Sequence, residues 1–224
     1  MQFAADEIET LCRILRWRRD VRHFQTDPVP EPVLERLRAT MDWAPSVGNA
    51  RPWRVIRVED AGLRAAVRAE FERCNAEAAE GYSDARQEEY LRLKLAGLEA
   101  APVQLAVFTV CDPVEGHGLG RRTLPETLRQ STAMAVHTLW LAARAENLGL
   151  GMVSILKPQE VERILECRRD GSFRPICASG CPNLWTTRPC WTGWGGRRTR
   201  QRVGRRGRGL APMQHRTHGI DLTG

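Results

Sequence analysis

Residues 16–24, RWRRDVRHF, place Arg18, Arg19 and Arg22 around Asp20. A guanidinium group stays charged and can donate two parallel N–H bonds to a phosphate or carboxylate. Three of them in one short segment can therefore form an anion clamp. A carboxylate among them can take up or release a proton beside whatever the clamp holds. A solvated, charged helix end explains the same residues, and charge alone leaves both readings open. A second segment, residues 44–56 (APSVGNARPWRVI), sets Ser46 and Gly48 after Pro45 and ahead of a strand-like run. Loops of small residues let backbone N–H groups approach a ligand, although taken alone this is an ordinary helix-to-strand connection. A third segment, residues 146–156 (ENLGLGMVSIL), carries Gly149 and Gly151 and then Ser154. Its glycines follow a helix and precede a strand, the reverse of a dinucleotide fingerprint. The plain reading of Ser154 is a core hydroxyl with a hydrogen-bond partner.

These segments need elements to position them. Ile8, Leu11, Ile14 and Leu15 recur at helical spacing. So do Val33, Leu34, Leu37 and Met41, after a proline-rich entry. Residues 61–80 and 85–101 read as two further helices. Residues 126–148 form the strongest one, with Met134, His137, Leu141 and Ala145 on one face. Residues 52–58, 103–110 and 151–156 read as strands, the second apolar and β-branched as a buried strand should be. Residues 157–166 open one more helix. Strands and helices alternate as far as Glu166, without an internal repeat.

Bulk properties narrow the function classes. The chain has 224 residues, 42% hydrophobic and 27% charged, ordinary for one soluble domain with a sizeable core. Its net charge of +7 is unevenly spread. Residues 1–166 hold 22 basic and 25 acidic side chains, whereas residues 167–224 hold 12 Arg and two Asp. The first three quarters thus offer no basic nucleic-acid-binding surface. The seven cysteines are irregularly spaced and make a poor disulfide framework. The start is acidic and then amphipathic, unlike a signal peptide, and the most apolar window is too short to span a bilayer. A cytoplasmic protein is expected, with neither membrane nor nucleic acid as partner.

In this order and spacing, the three segments resemble the FMN-dependent nitroreductase superfamily, and within it the 5,6-dimethylbenzimidazole synthases. The pieces that carry the match are RRDVRHF, APSVGNARPW, FERCNAEAAEGY, YLRLKLAGLEAAPVQLAV, LGRRTLPET, LWLAARAENLGLGMVSIL and PQEVERIL. Asp20 favours the synthases, since many nitroreductases have Ser in its place. The resemblance implies an α+β, three-layer fold, a central mixed sheet flanked by helices, in an intertwined homodimer with FMN between subunits. It implies an oxygen-dependent fragmentation of reduced FMN to 5,6-dimethylbenzimidazole, the lower ligand of vitamin B12. A separate flavin reductase would supply the reduced flavin. The alternatives are an NAD(P)H-dependent nitroreductase or flavin reductase, or an inactive product. Arg18, Arg19 and Arg22 would hold the phosphate and ribityl chain, and Val21 would also be a cofactor-binding residue. Asp20 would be the acid–base group by the ring and Ser154 would assist the fragmentation. Pro45, Ser46 and Gly48 would line the flavin, and Gly149, Leu150, Gly151 and Met152 would pass its pyrimidine edge. The helix around residues 90–98 would form a lid. No metal is implied. One departure is Asn49-Ala50-Arg51, where a Leu-Met-Gln type of triplet is expected.

The resemblance implies a domain over residues 1–166. Beyond it, residues 167–224 are rich in Arg, Cys, Trp and Gly, the composition of a disordered tail. The family's last strand and C-terminal arm are expected to be missing. Read one base out of frame from Glu166, the codons permit a string containing AYLCLGL, a good buried strand. A frameshift near Cys167 is therefore expected, and a gene that cannot be read as that string would exclude it. A zinc site from Cys177, Cys181, His215 and His218, or a Trp-and-Arg nucleic-acid arm, fits less well.

Overall fold

The computed structural model describes residues 1–79 and 97–166, with the backbone of 183–187. The described helices are α1 (Ala5–Trp17), α2 (Glu31–Met41), α3 (Ala61–Ala79), α4 (Thr127–Ala145) and α5 (Pro158–Ile164). The strands are β1 (Trp53–Arg57), β2 (Leu105–Thr109), β3 (Leu150–Val153) and β4 (Asn183–Thr187). Local chemistry explains several of the helix ends. Glu7 accepts the Ala4 backbone N–H at 2.7 Å, and prolines open α2 and α5. Asn147 takes φ 59° after α4, a left-handed turn that asparagine tolerates.

The sheet runs β1-β2-β4-β3 and each strand pairing is antiparallel. Successive side chains of a strand point to opposite faces, and the cores divide accordingly. Val55 and Val107 join Leu37, Met41, Ala135 and Leu139 on the α2–α4 side. Ile56, Ala106 and Phe108 join Val67, Phe71 and Val161 on the α3–α5 side. This is the expected three-layer α+β arrangement. The parallel component of the expected mixed sheet is one bridge, Asp20 to Leu150.

Four readings of the sequence need correction. The last strand is not missing: Asn183–Thr187 lies between β2 and β3, where it satisfies backbone groups of both. Ser154 lies past the end of β3 and is exposed, because the ladder ends where Val153 pairs with Leu184. The α4 face bearing Met134 and His137 points outward. The core takes Leu128, Ala135, Val136, Leu139 and Ala143 instead, whose small alanines let the helix approach the sheet. Helix α1 buries none of its residues, so its apolar stripe faces away from the core. The lid expected around residues 90–98 lies outside the described residues except at its end, as do Cys177, Cys181, Cys190, His215 and His218.

Candidate active site

The segment after α1 crosses the outer edge of β3 and is fastened there. The Val21 N–H donates to the Leu150 carbonyl at 2.9 Å. The Met152 N–H donates to Asp20 Oδ1 at 2.9 Å, and Arg22 donates to the Met152 carbonyl at 2.9 Å. Arg22 also pairs with Asp20 Oδ2. Asp20 is thus held by a backbone amide and a guanidinium group, yet its side chain remains 41% exposed. It can meet a ligand without moving. Gly151 permits this crossing, because a Cβ there would stand 2.1 Å from the Val21 carbonyl oxygen.

The three arginines divide their work. Arg19 donates to the carbonyls of Arg16 and Arg18, and so caps the end of α1. Arg22 is spent on Met152 and Asp20. Arg18 stacks on the ring of Trp140. Carbonyl and amide groups of β3, expected to meet a flavin directly, are engaged by residues 20–22 on one edge and β4 on the other.

The loop containing Pro45 lies elsewhere. Ser46 Oγ accepts the Arg51 N–H at 3.1 Å, and the Val47 N–H donates to Ser131 Oγ at 3.0 Å. Gly48 has φ 55°, and a Cβ there would sit 3.1 Å from the carbonyl oxygens of Gly116 and Leu119. The loop is therefore locked against residues 116–119 and borders a cleft of about 380 Å³ that Arg38, Arg51, Arg54 and Glu115 help to line. Among the described residues, no hydrogen bond or ion pair joins this loop to residues 18–22. Their anchors on α4, Ser131 and Trp140, are nine residues apart, roughly 13 Å along the helix axis. The structure therefore brings together Arg18, Asp20, Val21, Arg22 and residues 150–152, but not Pro45, Ser46 and Gly48. Ser154 stands two residues beyond Met152, near the same strand end.

A second carboxylate–arginine group ties α3 to the start of α5. Glu70 is 7% exposed and accepts from Arg73, from the Cys74 thiol at 3.1 Å and from the Lys157 N–H at 3.3 Å. The hydrogen bond from Arg73 holds its carboxyl below the usual range, against burial, which pushes the other way. Burial pushes the Cys74 thiol up, and the neighbouring Glu70 adds to this. Reading the sequence missed Trp140 and Glu70. Neither has a local motif, although Trp140 stands in the LWLAAR stretch that carried the resemblance.

A profile of the Nitroreductase family matches residues 15–180. The chain belongs to the nitroreductase family. The match runs past Glu166, where the resemblance was expected to end. A 5,6-dimethylbenzimidazole synthase of Rhodobacter capsulatus is 57% identical, over 84% of this chain and 91% of that protein. One from Rhodospirillum rubrum is 51% identical, over 77% of this chain and 82% of that protein. Among solved nitroreductase-like folds, an iodotyrosine deiodinase bound to FMN and 3-iodo-L-tyrosine superposes with a TM-score of 0.64 at 22% identity. That alignment covers 93% of this chain and 100% of that one. The α+β nitroreductase fold expected from the sequence is therefore established. Among the described residues, no helix is long and apolar enough to cross a membrane, and no group of His, Cys, Asp and Glu could hold a metal ion.

Proposed function

We propose that this nitroreductase-family chain is a 5,6-dimethylbenzimidazole synthase, acting on reduced FMN and O₂ in the assembly of the lower ligand of vitamin B12. The observation that carries the reading is the 57% identity to a synthase across most of both chains. The geometry supports it. The guanidinium of Arg18, with Arg19 and Arg22 beside it, has the charge and planarity that a phosphomonoester requires. Bound reduced FMN supplies the electrons that reduce O₂ and the carbon skeleton of the product. The chain's own residues bind and orient it and move protons. Asp20, fixed by the Met152 amide and by Arg22, takes a proton at one carboxylate oxygen and returns it later. Ser154, exposed near the same strand end, assists with its hydroxyl.

The loop of Pro45, Ser46 and Gly48 completes the site from a second copy of the chain. Two observations support this homodimer. Within one copy the loop and residues 18–22 hang on separate parts of α4. Large apolar side chains also lie exposed along α1, at Ile8, Leu11 and Leu15, and at Trp43, Leu119 and Met134. Cys12 and Cys74 are unbridged thiols, which suits a reducing, cytoplasmic setting. A separate reductase would deliver reduced FMN.

The test is aerobic incubation of the purified chain with chemically reduced FMN. Formation of 5,6-dimethylbenzimidazole is the expected result. NAD(P)H oxidation coupled to a nitroaromatic, without that product, would show a nitroreductase instead.

A further inference from the structure

The geometry points to Trp140 as a positioning residue that sets the preference for a phosphorylated flavin, an inference that rests on the FMN reading above. The guanidinium carbon of Arg18 lies 4.6 Å from the centroid of the Trp140 ring. The indole Nε1–H donates to the Arg19 carbonyl at 3.2 Å. One side chain on α4 therefore grips the side chain of Arg18 and the backbone of Arg19 together. The ring has a firm base, since its neighbours Leu139 and Ala143 are buried in the core.

Stacking engages the face of a guanidinium group and leaves its N–H edge available. Among the described residues, no hydrogen bond uses that edge in Arg18, whereas Arg19 and Arg22 donate to carbonyls or to Asp20. Of the three clamp arginines, Arg18, Arg19 and Arg22, Arg18 is thus the one whose fork meets no competing acceptor among the described residues. A long side chain must be immobilised before it binds an anion well, and that ordering opposes binding. Trp140 orders Arg18 before the ligand arrives. Removing the ring should then weaken the hold on the phosphate and leave contacts to the flavin ring unaltered.

FMN and riboflavin differ only in that phosphate, so their affinities report on it separately. Each is titrated against the native chain and its variants by flavin fluorescence quenching, with circular dichroism as the check on folding. Trp140→Leu should weaken FMN binding on the order of tenfold, the scale of a lost stacking contact and a misplaced charged hydrogen bond, with little change for riboflavin. Trp140→Phe, which keeps a ring face and loses the N–H, should retain most of the preference. Arg18→Ala should lose it, and adding Trp140→Leu to Arg18→Ala should lose nothing more. If Trp140→Leu weakens FMN and riboflavin equally, or leaves FMN unaffected, the inference is overturned. A native chain that binds FMN no better than riboflavin would overturn the FMN reading and this inference with it.

Discussion

Two carboxylate–arginine groups in this molecule look alike in sequence and differ in use. Asp20 and Arg22 lie two residues apart at the edge of β3, with the carboxylate 41% exposed. Glu70 and Arg73 lie three apart on α3, with the carboxylate 7% exposed. At Glu70, donors from Arg73, Cys74 and Lys157 fill the acceptor sites, so the group ties two helices and has nothing left to offer a ligand. At Asp20, one backbone amide and one guanidinium fix the carboxylate while leaving a side of it open. Both groups are ordered by their partners. On the function proposed above, what distinguishes the reactive carboxylate from the structural one is the acceptor capacity that remains after folding.

The comparison can be pressed experimentally. Asp20→Asn keeps an oxygen for the Met152 amide but cannot carry a proton. Product formation should fall by about 10²–10⁴-fold, while the melting temperature and FMN affinity stay close to native. An unchanged rate would remove Asp20 from the chemistry. Gly151→Ala should come next. Its methyl group would meet the Val21 carbonyl and push residues 20–22 off β3, costing about 3 kcal/mol, on the order of a hundredfold in FMN affinity. Fluorescence titration reads that loss.

Glu70→Ala should lower stability by about 2 kcal/mol through the donors it strands, measured by urea unfolding, with the FMN-to-riboflavin ratio unaltered. A change in that ratio would mean that the two groups are coupled. The sign of the pH effect follows from Glu70 having a folded-state pKa below its ordinary value. Its stabilisation is present above the ordinary carboxylate pKa and is lost as the pH falls through the depressed one. The stability gap between native and Glu70→Gln should therefore be wide at neutral pH and close in acid. Arg36→Ala, which removes an exposed pair with Glu146, should leave the melting temperature unmoved.

Much of this was legible in the sequence. Helix α2 buries Leu37 and Met41, which its spacing selects, and β1 and β2 fall within two residues of their expected limits. Helix α1 shows why periodicity has limits. It identifies a helix with an apolar stripe, but not whether the stripe is buried against the chain's own core. Helix α4 misled differently, because Ala135 and Ala143 are weak hydrophobic signals and yet mark its tightest contact with the core. Strand β4 was missed because NLWTT is short and sits in an Arg-rich setting. The site was half legible. Arg18, Asp20 and Arg22 announce themselves by type and spacing. The Trp140 contact spans 121 positions and has no local signature.

The sheet order leaves its two margins unequal. The outer side of β3 is closed by residues 20–22, while β1 pairs with β2 alone among the described residues. An open strand margin invites another chain to add itself. Two arginines stand guard on this one. Arg57 is paired with Glu31 and Glu59, and Arg54 reaches toward Glu115. Charge on such a margin discourages unwanted stacking of chains, and salt weakens that protection. A purified sample should therefore keep best at low ionic strength and turn cloudy first where salt is high.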